Sequence, residues 1–351
     1  MTLPAACKIS GILFPAALLI LITLFVLDLV LGSVNIPIES IISIITGAET
    51  KDTWINIFYD WRLPKTLTAL LAGASLSVAG LLMQTLFRNP LAGPYILGIS
   101  SGASLGVAIV IMAGGISGSI VASTLGLFGN LGIAVAATAG SAVVMILLLF
   151  ASRKIESNIT ILIIGMMFGY ITSSIVSVLM QFSASETMQS YVYWSFGSFS
   201  GVTWSQLFIL LIASIAGLVI SFLLVKPLNA LLLGDKYAVS MGIDYKKIRY
   251  IIIINTSLLA GIVTAFCGPI GFLGVAVPHL CRSLFVTGNH RTLVPACIIM
   301  GGIIAIASDI IAQVPGTGLV LPLNAVTALF GAPVIIWIIL RGTKYGRGIS
   351  T

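Results

Sequence analysis

The chain is written mostly in apolar runs of about 20 residues, the length a helix needs to cross the hydrocarbon core of a bilayer. Hydrophobic positions within the runs are continuous and do not alternate with polar ones, which excludes the pattern of an outer-membrane barrel. About ten runs read as transmembrane helices. The first five cover Gly11–Leu31, Leu67–Leu86, Tyr95–Ala113, Leu127–Phe150 and Ile159–Gln181. The others cover Gln206–Val225, Ile248–Phe266, Ile270–Phe285, Val294–Gln313 and Leu323–Leu340. The first run is longer than the apolar stretch of a signal peptide and no clear cleavage pattern follows it, so it counts as a span. The eighth is the most interrupted, by Pro269, Pro278 and neighbouring glycines. The pattern predicts an all-α, polytopic membrane protein with one transmembrane domain over residues 1–351.

Composition sharpens this picture. Of 351 residues, 58% are hydrophobic and 8% are charged; soluble domains carry about 25% charged residues. So few charges cannot cover a soluble surface of this size, which excludes a soluble enzyme, a disordered chain and a nucleic-acid binder. The net charge of +7 has a topological meaning. If the N-terminus is cytoplasmic, all 17 Lys and Arg residues except Lys51, Arg62 and Lys65 fall on the cytoplasmic side. The positive-inside rule then places both termini in the cytoplasm. The acidic residues Asp28, Glu39, Glu49, Asp52, Asp60 and Glu186 fall on the outer side.

Candidate chemistry is sparse. The 4 cysteines form no CxxC pair and there are 2 histidines, so neither a disulfide framework, a metal site nor a catalytic residue is expected. No phosphate-binding loop occurs, so ATP, if used, binds another subunit. Gly98, Gly102 and Gly106 form one small-residue face, and Ala69, Gly73, Ser77 and Gly80 another; both are read first as close helix packing. No span carries a charge at its centre. Asp309 is expected near the outer end of the ninth span with a local partner. An ion-coupled transporter normally places a carboxylate at mid-depth, so an ion-gradient-driven secondary transporter is kept only as the alternative.

The segment Lys226–Lys247 stands out on the cytoplasmic side. Pro227 is read as ending the sixth span. Leu228–Gly242 is read as one or two short helices broken at Gly234, with Asp235 as N-cap. The small residues Ala238, Ser240 and Gly242 offer a close-approach face to a cytosolic partner, and an interfacial helix would look similar.

Several segments together resemble permease subunits of the FecCD type, from ATP-binding-cassette (ABC) importers for iron siderophores, haem and cobalamin. They are Arg62-Leu63-Pro64-Lys65, GASLSVAGLLMQTLFRNPLAGPYILGISSGAS from Gly73, and Tyr193-Trp194-Ser195-Phe196-Gly197. Leu233 to Gly242, GPIGFLGVAVPHLCR from Gly268 and LPLNAVTALFGAPVIIWIILR from Leu321 complete the set.

The resemblance implies the ABC type II importer permease fold, with ten spans and alternating access. It implies two ATPases carrying ATP and Mg, a periplasmic or lipid-anchored substrate-binding protein, and a second permease, read as a homodimer. The setting is the bacterial inner membrane and its lipid, with no cofactor in this chain. By resemblance, Gly234, Asp235, Ala238, Ser240 and Gly242 within 226–247 couple to the ATPase. Arg62 and Lys65 receive acidic residues of the binding protein on the outer face. Ser157, Asn158, Ile159 and Thr160 match a cytoplasmic narrowing of the pathway, where cobalamin-type members are similar to Thr-Ser. Tyr191 to Ser200 matches a short outer helix, with Tyr193 and Trp194 as interfacial anchors. His279 is read as a structural hydrogen-bonding residue.

Overall fold

The computed structural model describes residues 5–32, 36–47, 51–116, 120–155, 157–314 and 320–345. Glu49 and Arg347, both used in the charge reading, lie outside the described residues. In chain order the helices are α1 (Ala5–Val30), α2 (Ile38–Thr46), α3 (Asp52–Asn56), α4 (Leu63–Phe87), α5 (Ile99–Ile116), α6 (Ile120–Lys154), α7 (Asn158–Gln181), α8 (Ser185–Ser195), α9 (Trp204–Leu223), α10 (Val225–Leu232), α11 (Asp235–Ser240), α12 (Tyr245–Cys267), α13 (Leu273–Phe285), α14 (His290–Ala312) and α15 (Leu323–Tyr345). A π-helical turn, Ile57–Arg62, fuses α3 to α4, and a 3-10 turn, Pro94–Leu97, precedes α5. Among the described residues, 7 helices are long and apolar enough to cross a membrane, and Ile99–Met112, Leu273–Phe285 and Leu323–Ile336 are shorter apolar helices. Each falls on one of the predicted spans.

Helix α4 is the centre of the bundle. In its apolar stretch 83% of residues are buried, against 17% for α1. Its sequence explains this. Alanines, glycines and serines on several faces let four neighbours approach, where one stripe would serve a peripheral helix. A Cβ on Gly73 would overlap the Gly301 carbonyl of α14, and one on Gly80 would overlap the Gly274 carbonyl of α13. Ser75 Oγ meets Ser214 Oγ of α9 at 3.0 Å, and Ser77 Oγ donates to the Cys297 carbonyl of α14 at 2.6 Å. The peripheral helices α1, α7 and α9 turn large apolar side chains outward, including Leu19, Ile171 and Phe208.

The small-residue faces thus act in packing. Gly102 and Gly106 of α5 lie against Gly140 and Ala136 of α6 at backbone contact. Gly98 does not belong to that helical face: its φ of +73° caps the 3-10 turn, and its backbone sits against Gly165 and Gly169 of α7. Only glycine adopts this conformation without strain. The eighth predicted span is shorter than expected, because Gly268–Phe272 runs in without helix and only Leu273–Phe285 is helical. Helix α9 ends at Leu223, before Pro227, which lies in the first turn of α10 where its missing N–H is not needed.

Candidate coupling and docking sites

The bundle has two polar ends. One gathers the basic loops. Helices α10 and α11 lie there, joined through Leu233 and Gly234. Gly234 has φ +124° and is the N-cap of α11, while Asp235 is its first residue. The N-cap expectation for Asp235 is therefore corrected: its carboxylate instead meets Arg88 Nη2 at 2.5 Å. Arg88 is itself the left-handed C-cap of α4, so this exposed pair ties α11 to the end of α4.

Ala238 is corrected too. It is completely buried and packs in the same core as Leu228, Leu231, Ile252 and Ile253. Its small size lets α11 lie flat on the protein's own core and offers nothing to a partner. The exposed face of this segment is formed by Leu233, Tyr237, Val239 and Met241, each at least half exposed, with Ser240 and Gly242 beside them. Gly242 has φ +81° and turns the chain into α12. An exposed apolar patch at a polar end marks a surface for a protein partner or for the membrane interface.

Next to it, the predicted narrowing is a helix junction. Ser157 is the N-cap of α7, its hydroxyl accepting from the Thr160 N–H at 3.3 Å. Asn158 donates to the Leu86 carbonyl at 2.9 Å and accepts from Tyr245 Oη at 2.7 Å. It joins the start of α7 to the end of α4 and the start of α12. Ile159 points outward, 69% exposed. Arg249 of α12 donates to the Ser152 and Ile155 carbonyls at 2.6 and 3.1 Å, which satisfies the open C-terminus of α6 with a cation.

The opposite end holds the larger surprise. Arg62 and Lys65 were expected on an exposed surface, yet they are only 5% and 6% exposed. Lys65 Nζ lies 2.8 Å from Asp309 and 3.3 Å from Asp28. Thr66 Oγ1 donates to Asp28 at 2.5 Å. Gln313 Nε2 donates to Asp28 at 3.3 Å and to Asp309 at 2.6 Å. Arg62 Nη1 donates to the Leu29 and Val30 carbonyls at 2.6 Å each, capping the end of α1. Burial of these two cations follows from that pairing, since a charge leaves water only with partners in place.

Asp309 has the helix-end position and local partner expected of it. The accompanying buried Asp28 was missed. The signal was present: an acid and a base each at the end of an apolar run, able to meet only if α1, α4 and α14 pack together.

A cavity of about 760 Å³ opens beside this cluster, with Trp61, Arg62, Lys65, Tyr193, Gln313 and Leu323 in its wall. Helix α8 closes one side. Its Tyr191 is buried and Tyr193 exposed; burial pushes the Tyr191 phenol above its ordinary pKa, and a hydrogen bond with Ser104 offsets part of this. Trp204 Nε1 donates to the Tyr59 carbonyl at 2.9 Å, adding to an aromatic belt of the kind found at a membrane interface. His279 Nε2 lies 2.8 Å from the Pro90 carbonyl, in keeping with a structural role. Among the described residues no group of three or more His, Cys, Asp or Glu could hold a metal.

A helical bundle with a small-residue core, an exposed apolar patch at its basic end and a vestibule at the other is a membrane permease of the transporter class. Residues 19–341 match the FecCD transport family, and the chain belongs to that family. It is 36% identical over 283 residues to the vitamin B12 import system permease protein BtuC of Salmonella paratyphi A, covering 81% of this chain and 83% of the relative. It is 38% identical over 288 residues to the protein of the same name from Klebsiella pneumoniae, covering 82% of each. Among solved structures, an inward-facing conformation of a metal-chelate type ABC transporter superposes with TM-score 0.81 at 28% identity, covering 94% of this chain and 99% of that one. PsaBC from Streptococcus pneumoniae in complex with Fab, at TM-score 0.54 and 16% identity over 85% of this chain and 95% of that one, shares the fold alone. The fold is that of ABC type II importer permeases, and the chain is a transport subunit, not an enzyme.

Proposed function

We propose that this chain forms half of the membrane pathway of an importer for a metal chelate, either cobalamin or an iron chelate such as a siderophore or haem. Two copies pair in the bacterial inner membrane, each with its basic end and both termini in the cytoplasm. Two ATPase subunits bind ATP and Mg and grip the α10–α11 segment. A periplasmic or lipid-anchored binding protein delivers cargo at the opposite end, above the internal cluster in which Arg62 and Lys65 hold α1, α4 and α14 together. ATP-driven closure of the ATPases moves the spans as rigid bodies, and the substrate passes by alternating access.

The observation that carries this reading is the apolar patch of Leu233, Tyr237, Val239 and Met241, lying at the end of the bundle where the basic loops gather. Residues Ser157–Thr160 lie beside this end as the junction of α7 with α4 and α12, where movement of α12 would act on the start of α7. Specificity rests in the binding protein, because a conduit that gripped its cargo would trap it. The test is co-purification of this chain with its ATPase, followed by the absorption spectrum of the ligand retained by the binding protein. A corrinoid or ferric-chelate spectrum supports the substrate class; a protein-only spectrum after growth with both compounds contradicts it.

A further inference from the structure

The coupling reading above leaves open how movement of α10 and α11 reaches the far end of the bundle, and the inference here rests on that reading. We propose that His290 is a positioning residue: a buried joint that fastens α10–α11 to a rigid pair formed by α4 and α14.

Hydrogen bonds on three helices define the joint. His290 is completely buried at the start of α14. Its backbone N–H donates to Asn229 Oδ1 of α10 at 2.9 Å, so the Asn229 amide presents its oxygen to α14. His290 Nδ1 lies 2.9 Å from that same oxygen and must therefore carry the proton. In the neutral ring Nε2 is then an acceptor. Thr85 Oγ1 of α4, 2.7 Å away, shares its one hydrogen between this nitrogen and the Leu81 carbonyl at 2.8 Å. The other half of the amide is used as well, since Asn229 Nδ2 donates to Asn289 Oδ1 at 2.9 Å. One imidazole thus bridges three helices, and loss of Thr85 or Asn229 leaves a nitrogen of the buried His290 ring without its partner. The second polar tie from this segment to α4, Arg88 to Asp235, is about half exposed and holds weakly.

The joint matters because of what it grips. Helices α4 and α14 are clamped at three levels. At the basic end the clamp is Thr85 to His290. In the middle it is Ser77 to the Cys297 carbonyl and the backbone contact of Gly73 with Gly301. At the far end it is Lys65 to Asp309. Two helices pinned along their length move as one body, and that body ends in the wall of the 760 Å³ cavity. His290 lets a displacement of α10 pull both helices together; without it α10 slides against them.

The experiment uses the complete importer: this chain, its ATPase and its binding protein, in proteoliposomes. It reads the factor by which the binding protein stimulates ATP hydrolysis, with thermal unfolding of each variant alongside. His290→Ala should reduce stimulation at least about fivefold, the scale of a typical coupling. Thr85→Val, equal in shape but without the hydroxyl, should lose less. The double variant should be no worse than His290→Ala, because both remove one link. His290→Asn keeps a donor at the Nδ1 position and should behave like Thr85→Val. Normal stimulation in His290→Ala, or losses that multiply in the double variant, would overturn the proposal. If His290→Ala fails to fold, Thr85→Val decides by the same criterion. A wild-type chain that does not hold the ATPase at all overturns the coupling reading and this joint with it.

Discussion

Replacing Lys65 by Met isolates the largest electrostatic commitment in the structure. Met keeps most of the stem and removes the charge. Lys65 touches both Asp309, at 2.8 Å, and Asp28, at 3.3 Å, with side-chain exposures of 7%, 6% and 0% for the three residues. Without it two carboxylates face each other out of water, with hydrogen bonds from Gln313 and Thr66 and the Arg62 charge near Asp28. Breaking a buried pair from one side costs about 3–5 kcal/mol, because the partner charge stays behind. A pair of this exposure is also little screened, so the loss should persist at about 1 M salt. Unfolding of the purified protein in detergent, followed by tryptophan fluorescence, measures it. Asp28→Asn and Asp309→Asn added to Lys65→Met should recover most of the loss, since neutral replacement of a whole buried cluster is often tolerated. A loss below about 1 kcal/mol, the range of an exposed pair, would refute the argument that this cluster is buried and mutually dependent.

Val239→Asp places a charge in the apolar patch; ATPase association should weaken by at least about 1 kcal/mol with the spans intact, as read by co-purification and circular dichroism. Gly301→Leu forces a side chain into the α4 backbone and should cost at least about 3 kcal/mol, at or above the usual range for overpacking, seen as loss of monodisperse protein on gel filtration. Tyr245→Phe removes the bond to Asn158 and should cost about 1 kcal/mol. Asn158→Leu removes both of that residue's bonds and should cost more, with faster proteolysis at the α6–α7 connection.

Much of the architecture was legible because it follows from one constraint. A backbone in lipid must satisfy itself, so apolar length alone marks each span. The break at Gly234 was legible for a similar reason, as a positive φ needs glycine. What sequence concealed was which side of a residue faces what. Ala238 looked like a contact for a partner because smallness permits close approach from either side; only the packing of α11 on Leu228 and Ile253 shows that the approach is internal. Arg62 and Lys65 looked like surface charges because each sits at the end of a span, where long cations usually snorkel to water. Asp28 and Asp309 lie far from them in the chain, and nothing local announces the meeting. His290 and Asn229 were hidden likewise, being single polar residues in separate segments. Gly98 shows the reverse error, a regular small-residue spacing whose first member belongs to a turn.

The account stands on one division of labour: this chain moves and its partner burns nucleotide. Uptake of the cargo retained by the binding protein, into proteoliposomes holding this chain with ATPase and binding protein, tests it directly. The account predicts uptake that requires hydrolysable ATP and survives ionophores that collapse every ion gradient. Uptake by this chain alone, driven by a proton or sodium gradient without ATP, would contradict it.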